Sequence, residues 1–311
     1  MCYNRSIMKK TIVAFVVAVL VFVGIYYFIK SSSNDGAVII GNQNVATTTI
    51  TASSMVKENV KVENKAEQII GTSAQGRNIT AYHYGTGETE LLFVGGIHGG
   101  YSWNTVLLAY DLMDYLKANP NTIPKNIKVT VIPVLNPDGL NKVVGTSSRF
   151  STADVPESIA DTVVGRFNSN NVDLSRNFDC DWQTNATWQN KDVSGGNTVF
   201  SEAESLAIKN YIEIQKPKAV VVWYSAAGGV YSSNCHAGIL PETKTLTTTY
   251  SKASGYPAHE DFDFYATTGD MVNWLAKINV PAISVLLTNH TDIEWNKNLA
   301  GVKALLKLYT K

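Results

Sequence analysis

Side chains able to do chemistry gather in a few short segments punctuated by glycine or proline. Gly95-Gly96-Ile97-His98-Gly99-Gly100-Tyr101 sets one imidazole in a loop of minimal bulk. An imidazole can ligate a metal, move a proton or accept a hydrogen bond, and its surroundings decide which. Arg166 lies shortly before Val172-Asp173-Leu174-Ser175-Arg176-Asn177-Phe178. Two arginines turned into one cleft would form a positive site that takes a carboxylate through charge-assisted bonds. Paired instead with nearby acids such as Asp173 or Asp179, they would only brace the loops, and the sequence leaves both readings open. The other histidines, His83, His236, His259 and His290, form no ligand pair at helical or loop spacing. Cys235-His236 and His259-Glu260-Asp261 are adjacent clusters whose default role is loop polarity.

The elements that must position these segments follow from apolar periodicity. Gln68-Ile70 and Asn78-Tyr84 read as a hairpin around Ala74-Gln75-Gly76. Leu91-Val94, Lys128-Leu135, Ala219-Tyr224 and Ala282-Leu287 read as buried strands. Ser102-Ala118 has helical spacing and stops at Asn119-Pro120. Ser201-Glu202-Ala203-Glu204 reads as a capping box opening a helix to about Gln215. Asp270-Ile278 and Asp292-Leu308 read as further helices, and Asn136-Pro137-Asp138-Gly139 as a turn. Strands alternating with helices imply a largely parallel or mixed sheet covered on both faces. Ligands of such sheets bind beyond the carboxyl ends of the strands, which is where His98 and its companions fall.

The 311 residues suffice for one sizeable domain with appendages; 45% are hydrophobic and 17% charged, the composition of a folded globule. Lysine plus arginine and aspartate plus glutamate balance at 26 each, which gives no electrostatic reason to expect nucleic acid as a partner. Residues 11–29 (TIVAFVVAVLVFVGIYYFI) are uncharged and long enough to cross a bilayer as a helix. Arg5, Lys9 and Lys10 precede them, so residues 1–10 are expected in the cytoplasm and the rest outside the cell membrane, a single-pass arrangement. A cleaved signal peptide is the competing reading; Lys30-Ser31-Ser32-Ser33 offers it no small-x-small site. Residues 30–66 are Ser/Thr/Asn-rich and then charged, as in a solvated linker, and the folded domain is expected over 67–311. Cys2 reads as a free thiol; Cys180 and Cys235 are either a disulfide, which an oxidising compartment permits, or two buried thiols.

In order and spacing the loop segments, together with Trp223-Tyr224-Ser225-Ala226-Ala227-Gly228-Gly229, Tyr265-Ala266-Thr267-Thr268-Gly269-Asp270 and Pro281-Leu287, resemble the M14 zinc carboxypeptidases. The resemblance is closest to their compact bacterial, cell-wall-processing branch. It implies an α/β fold with a mixed, mostly parallel eight-stranded sheet and helices on both faces. Active members hold zinc with a His and a Glu in His-x-x-Glu and a later His, use a Glu as general base, and grip the substrate carboxylate with Asn-Arg. By this resemblance His98 matches the first ligand, Arg166 the oxyanion arginine, Arg176 the clamp arginine and Tyr265 the closing tyrosine. Tyr101 stands in place of the ligand Glu, Tyr224 of the second ligand His, Leu286 of the general base and Ser175 of the clamp Asn.

One imidazole cannot hold a catalytic zinc, a phenol is a poor substitute ligand, and leucine moves no protons. The expectation is therefore a pseudoenzyme without bound zinc, with His98 hydrogen-bonded to Tyr101 or Tyr224 in a collapsed pocket. Its expected ligand is a peptide, or a peptidoglycan stem peptide, with a free carboxylate, held by Arg166, Ser175, Arg176 and Tyr265. Tyr265 is equally readable as packing. The alternatives are an active zinc carboxypeptidase or amidase with an unusual ligand set, or a purely structural interaction module.

Overall fold

A computed structural model describes residues 66–311; the expected membrane helix at 11–29 and nearly all of the linker lie outside the described residues. Among the described residues no helix is long and apolar enough to cross a membrane.

The chain opens with β1 (Glu67–Thr72) and β2 (Asn78–Tyr84), then β3 (Thr89–Val94), α1 (Trp103–Ala118), β4 (Ile127–Ile132) and α2 (Pro137–Val144). After the short α3 (Ile159–Thr162) come the small hairpin β5 (Asn185–Trp188)–β6 (Lys191–Ser194), α4 (Ala203–Gln215), β7 (Ala219–Ser225), β8 (Gly229–Ser232) and α5 (Pro241–Ser254). β9 (Ala258–His259), α6 (Met271–Lys277), β10 (Ala282–Leu287) and α7 (Trp295–Leu308) complete it. The main sheet has eight strands in the order β1-β2-β4-β3-β7-β10-β8-β9, as the resemblance implied. Its centre, β4-β3-β7-β10, is parallel, and antiparallel pairings flank it.

Alternation along the central strands divides the core in two. Phe93, Val221, Trp223, Ile283 and Val285 pack under α1, α5 and α7. Leu92, Val94, Val220, Val222, Tyr224 and Leu286 pack on the other face with α4 and α6. Side chains of a strand change face at every residue, so each central strand must be apolar throughout, as observed.

Several local readings are corrected. Asn136-Pro137-Asp138-Gly139 is the start of α2, not a turn: Asn136 Oδ1 caps it by accepting from the Gly139 amide at 2.8 Å, and Pro137 sits in the first turn, where its missing N–H costs nothing. The capping box at Ser201 does not form. The Ser201 hydroxyl donates to its neighbour Glu202 at 2.8 Å, and the Glu202 amide donates to Asn177 Oδ1 at 3.1 Å. A tertiary partner has displaced the local one. α7 begins at Trp295, three residues late, because Asn289 and Asp292 side chains hold the preceding amides in a loop. The β4 strand stops at Ile132, and the β5–β6 hairpin, β8, β9 and α5 have no counterpart in the sequence reading.

Candidate functional site

Parallel strands β3, β7 and β10 deliver their carboxyl ends to one edge of the sheet, and the site forms there. His98 follows β3 at the entrance of a tight turn, Gly99–Ser102. Gly99 has φ +44° and lies against the backbones of Gly139 and Gly165, so a β-carbon would clash with both. This contact brings the loops after β3 and β4 against the turn Val163–Arg166. Tyr224 and Leu286 are direct partners in the β7–β10 register. Asp173 caps the turn Leu174–Arg176 by accepting from the Ser175 amide at 3.1 Å. Gly269, at φ +67°, leaves no room for a β-carbon against the Arg176 carbonyl, and its amide and carbonyl bond Cys180 and Phe178.

Four of these side chains close a ring of hydrogen bonds. Arg166 donates from Nε and NH2 to Asp173 Oδ2, each at 2.8 Å. Its NH1 faces His98 Nδ1 at 3.3 Å. A guanidinium has no acceptor, so Nδ1 must offer its lone pair and the ring proton sits on Nε2. Nε2 then donates to the Ser175 hydroxyl at 2.9 Å, and that hydroxyl donates to Asp173 Oδ1 at 2.7 Å. His98 thus bonds neither tyrosine, contrary to expectation; Tyr224 meets its ring edge-on at 5.4 Å. Tyr101 is turned away, against Trp188 at 5.2 Å and His290 at 4.4 Å between ring centroids.

Burial, reinforced by the Arg166 charge, lowers the His98 pKa to about 4, so the ring is neutral although Asp173 lies 3.6 Å away. Burial alone would raise the Asp173 carboxyl, but the Arg166 charge and the local hydrogen bonds hold it well below the usual carboxylate range. Ser175 and His98 are close enough to suggest a nucleophile and base, but the wiring forbids it. The imidazole points its N–H, not its lone pair, at the hydroxyl.

Linkage turns the His98 environment into a prediction. The unfolded ring takes a proton near its ordinary pKa of about 6.5, whereas the folded one resists until about pH 4. Stability is therefore present above pH 6.5 and falls as pH drops towards 4 by up to ~3 kcal/mol. Denaturation midpoints from pH 7 to 4 should show this slope, reduced in His98→Gln; equal slopes in both proteins would refute it.

A zinc ion, as the resemblance implies for active relatives, does not fit this donor set. Both nitrogens of His98 are engaged, one by a fixed cation. Tyr224 sends its hydroxyl towards Asp270 at 3.5 Å, and burial raises both its pKa and that of Tyr101, away from the phenolate a metal needs. Leu286 offers no donor at all. The triple variant Tyr101→Glu/Tyr224→His/Leu286→Glu should remain sub-stoichiometric in zinc by elemental analysis, and adding Arg166→Gln should raise the content towards one per chain. Full occupancy with Arg166 intact would show that the guanidinium is no barrier.

Beside the ring lies an open cavity of about 110 Å³ whose lining includes His98, Arg166, Arg176, Tyr224, Tyr265 and Leu286. The two arginines divide the alternatives: Arg166 is paired with Asp173, while Arg176 has no acidic partner among the described residues. Asp179 is taken by Lys277 at 2.9 Å. Arg176 NH1 donates to the Ser175 carbonyl at 2.9 Å and Nε to that of Thr187 at 3.3 Å, while NH2 has no hydrogen-bond partner among the described residues. Tyr265 lies with its ring centroid 5.8 Å from this guanidinium. Asp270 also lines the cavity, but one of its oxygens is committed to the Val272 and Asn273 amides as the cap of α6, and burial raises its pKa. Sequence reasoning missed Asp173 as the hub of the ring and Asp270 as a lining residue. An Asp directly before the apolar Met271-Val272 at a helix start was the available signal for the second.

Cys180 and Cys235 form a disulfide, resolving the two readings left open. The bond ties the loop that carries Arg176 to the segment after β8. Among the described residues, Cys180, Cys235 and His236 are the only cluster of metal-ligand types, and the disulfide occupies both sulfurs.

The mixed eight-stranded sheet and its helices have known counterparts. The Peptidase_M14 family profile, described as zinc carboxypeptidase, matches residues 60–291. The chain belongs to this family. Mouse (Mus musculus) carboxypeptidase M is 27% identical over 184 residues, covering 55% of this chain and 33% of that protein. Human (Homo sapiens) carboxypeptidase D is 36% identical over 98 residues, 30% of this chain and 6% of that protein. The chain thus matches a third or less of the length of either relative. Among solved structures, murein-tripeptide amidase MpaA from Escherichia coli O157 has a TM-score of 0.56 at 19% identity, over 79% of this chain and 93% of that one. Bovine thrombin-activatable fibrinolysis inhibitor has a TM-score of 0.59 at 15% identity, over 78% of this chain and 87% of that one. At these identities the two structures speak for the fold alone.

Proposed function

We propose that this protein is a catalytically silent member of the zinc carboxypeptidase family that binds the free carboxylate of a peptide, or of a peptidoglycan stem peptide. The observation that carries the reading is Arg176, a buried guanidinium without an acidic partner among the described residues, in the wall of an open cavity. A buried cation is costly unless paired, so an incoming carboxylate gains more here than it would on the surface. Silence follows from the donor set. By the resemblance the general-base position is Leu286; Tyr101 and Tyr224 are protonated phenols, and Arg166 and Ser175 engage both nitrogens of His98.

Residues 11–29 would anchor the domain at the outer face of a membrane, with residues 1–10 in the cytoplasm. A cell-wall peptide is the ligand such a position favours, and the fold shared with a murein-tripeptide amidase is consistent with it. The open cavity lined by Arg166 and Arg176 argues against a purely structural module; Tyr224 forms part of its wall and Tyr101 does not. The test is calorimetry on the full-length protein in detergent with stem peptides bearing free or amidated carboxyl ends, alongside metal analysis and a peptidase assay. Carboxylate-dependent binding without turnover is expected; chelator-sensitive release of a terminal residue would overturn the reading.

A further inference from the structure

A second cleft, of about 390 Å³, adjoins the Arg176 cavity and shares Ser225, Phe262, Tyr265 and Leu286 with it. Its lining contains no Asp, Glu, Lys or Arg. Two groups of rings contribute to it. Tyr101 packs on Trp188 and on His290, while Phe262 packs on Phe264 at 5.2 Å and on Tyr265 at 5.0 Å. Phe264 is 63% exposed, among the large apolar side chains most open to solvent in the described residues. Burial lowers the His290 pKa, which keeps that ring neutral as well. Two of the lining residues, Tyr101 and Leu286, stand where the family resemblance calls for glutamates. Carboxylates at both places would have made this stretch acidic; a phenol and an isobutyl group leave it uncharged and add apolar surface.

We infer that the exchanges at positions 101 and 286 make this second cleft a recognition subsite for a large apolar or aromatic side chain next to the terminal residue of the bound peptide. This rests on the carboxylate reading of the Arg176 cavity. With the terminal carboxylate on Arg176, the preceding residue lies about 3.5 Å further along an extended chain. The shared border at Phe262, Tyr265 and Leu286 leads that residue into the second cleft. An aromatic side chain there would find ring edges and faces on both groups, contacts that favour offset or edge-on pairing. A cationic side chain would lose its water and meet no acid in the lining.

The test uses the full-length protein in detergent and two fluorescent hexapeptides that differ only in the penultimate residue, Phe or Gly, each as free acid and as amide. The Phe acid is expected to bind ~10-fold more tightly than the Gly acid, the scale of burying one aromatic side chain. Phe264→Ala, at an exposed position where folding is not at stake, should cut that preference to about twofold while leaving the Gly acid unchanged. Equal binding of both acids, with both amides silent, would overturn the subsite and leave the carboxylate reading standing. Tight binding of the Phe peptide as acid and amide alike would keep the subsite and overturn the carboxylate reading. No binding of any peptide would overturn both. Preference for an N-acetylated chito-oligosaccharide over the Phe peptide would assign the cleft to glycan and overturn the inference.

Discussion

Arg176→Ala is expected to weaken binding of a peptide with a free terminal carboxylate by ~10- to 100-fold, the range for losing a hydrogen-bonded ion contact of ~1.5–3 kcal/mol. The expectation follows from how the side chain is held. NH1 and Nε are occupied by backbone carbonyls, which fix the plane of the guanidinium and leave NH2 for a ligand. Neither bond involves an ionised group, so the guanidinium has no direct ion pair of its own and an incoming carboxylate can supply one. Arg176→Lys should recover only part of the affinity, since an ammonium has the charge but not the planar fork. Calorimetry at constant pH with acid and amide forms of one peptide separates this from general damage. An alanine variant that still distinguishes acid from amide as the parent does would remove Arg176 from the site.

The second large effect concerns stability. Asp173→Ala should cost ~3–5 kcal/mol in chemical denaturation, because it leaves the buried Arg166 cation unpaired. Asp173 is fully buried and accepts from Arg166 Nε and NH2, from the Ser175 amide and from the Ser175 hydroxyl. The carboxylate therefore holds the arginine, the turn carrying Arg176 and, through Ser175, the ring of His98. Adding Arg166→Met should restore part of the loss, since an apolar side chain over Trp188 needs no countercharge. A cost below about 1 kcal/mol for Asp173→Ala, the scale of an exposed pair, would mean that water reaches the site and the ring is not a closed unit.

Reading along the chain recovers the parts of this protein that depend on local pattern. The central strands were legible because both faces of a parallel sheet are covered, so Leu91-Val94, Ala219-Tyr224 and Ala282-Leu287 had to be continuous apolar runs. The β5–β6 hairpin and α5 escaped notice for the opposite reason. Asn185-Trp188 and Lys191-Ser194 are half-exposed and short, and Pro241–Ser254 is rich in threonine and lysine with a low apolar content. The capping box failed because Asn177, 25 residues away, outcompeted a local side chain for the Glu202 amide. Such a partner is invisible to any window on the sequence.

The site divides in the same way. Which side chains stand at the ends of β3, β7 and β10 is a matter of residue identity, so Tyr101, Tyr224 and Leu286 could be singled out without coordinates. Which arginine is satisfied was not. Arg166 and Arg176 are ten positions apart with acids nearby, and only the packing of four loops against one another gives Asp173 to Arg166 and leaves Arg176 facing open space. Charge pairing over a few ångströms depends on distances that chain order does not encode, and the choice between a braced loop and a binding site rests on those distances.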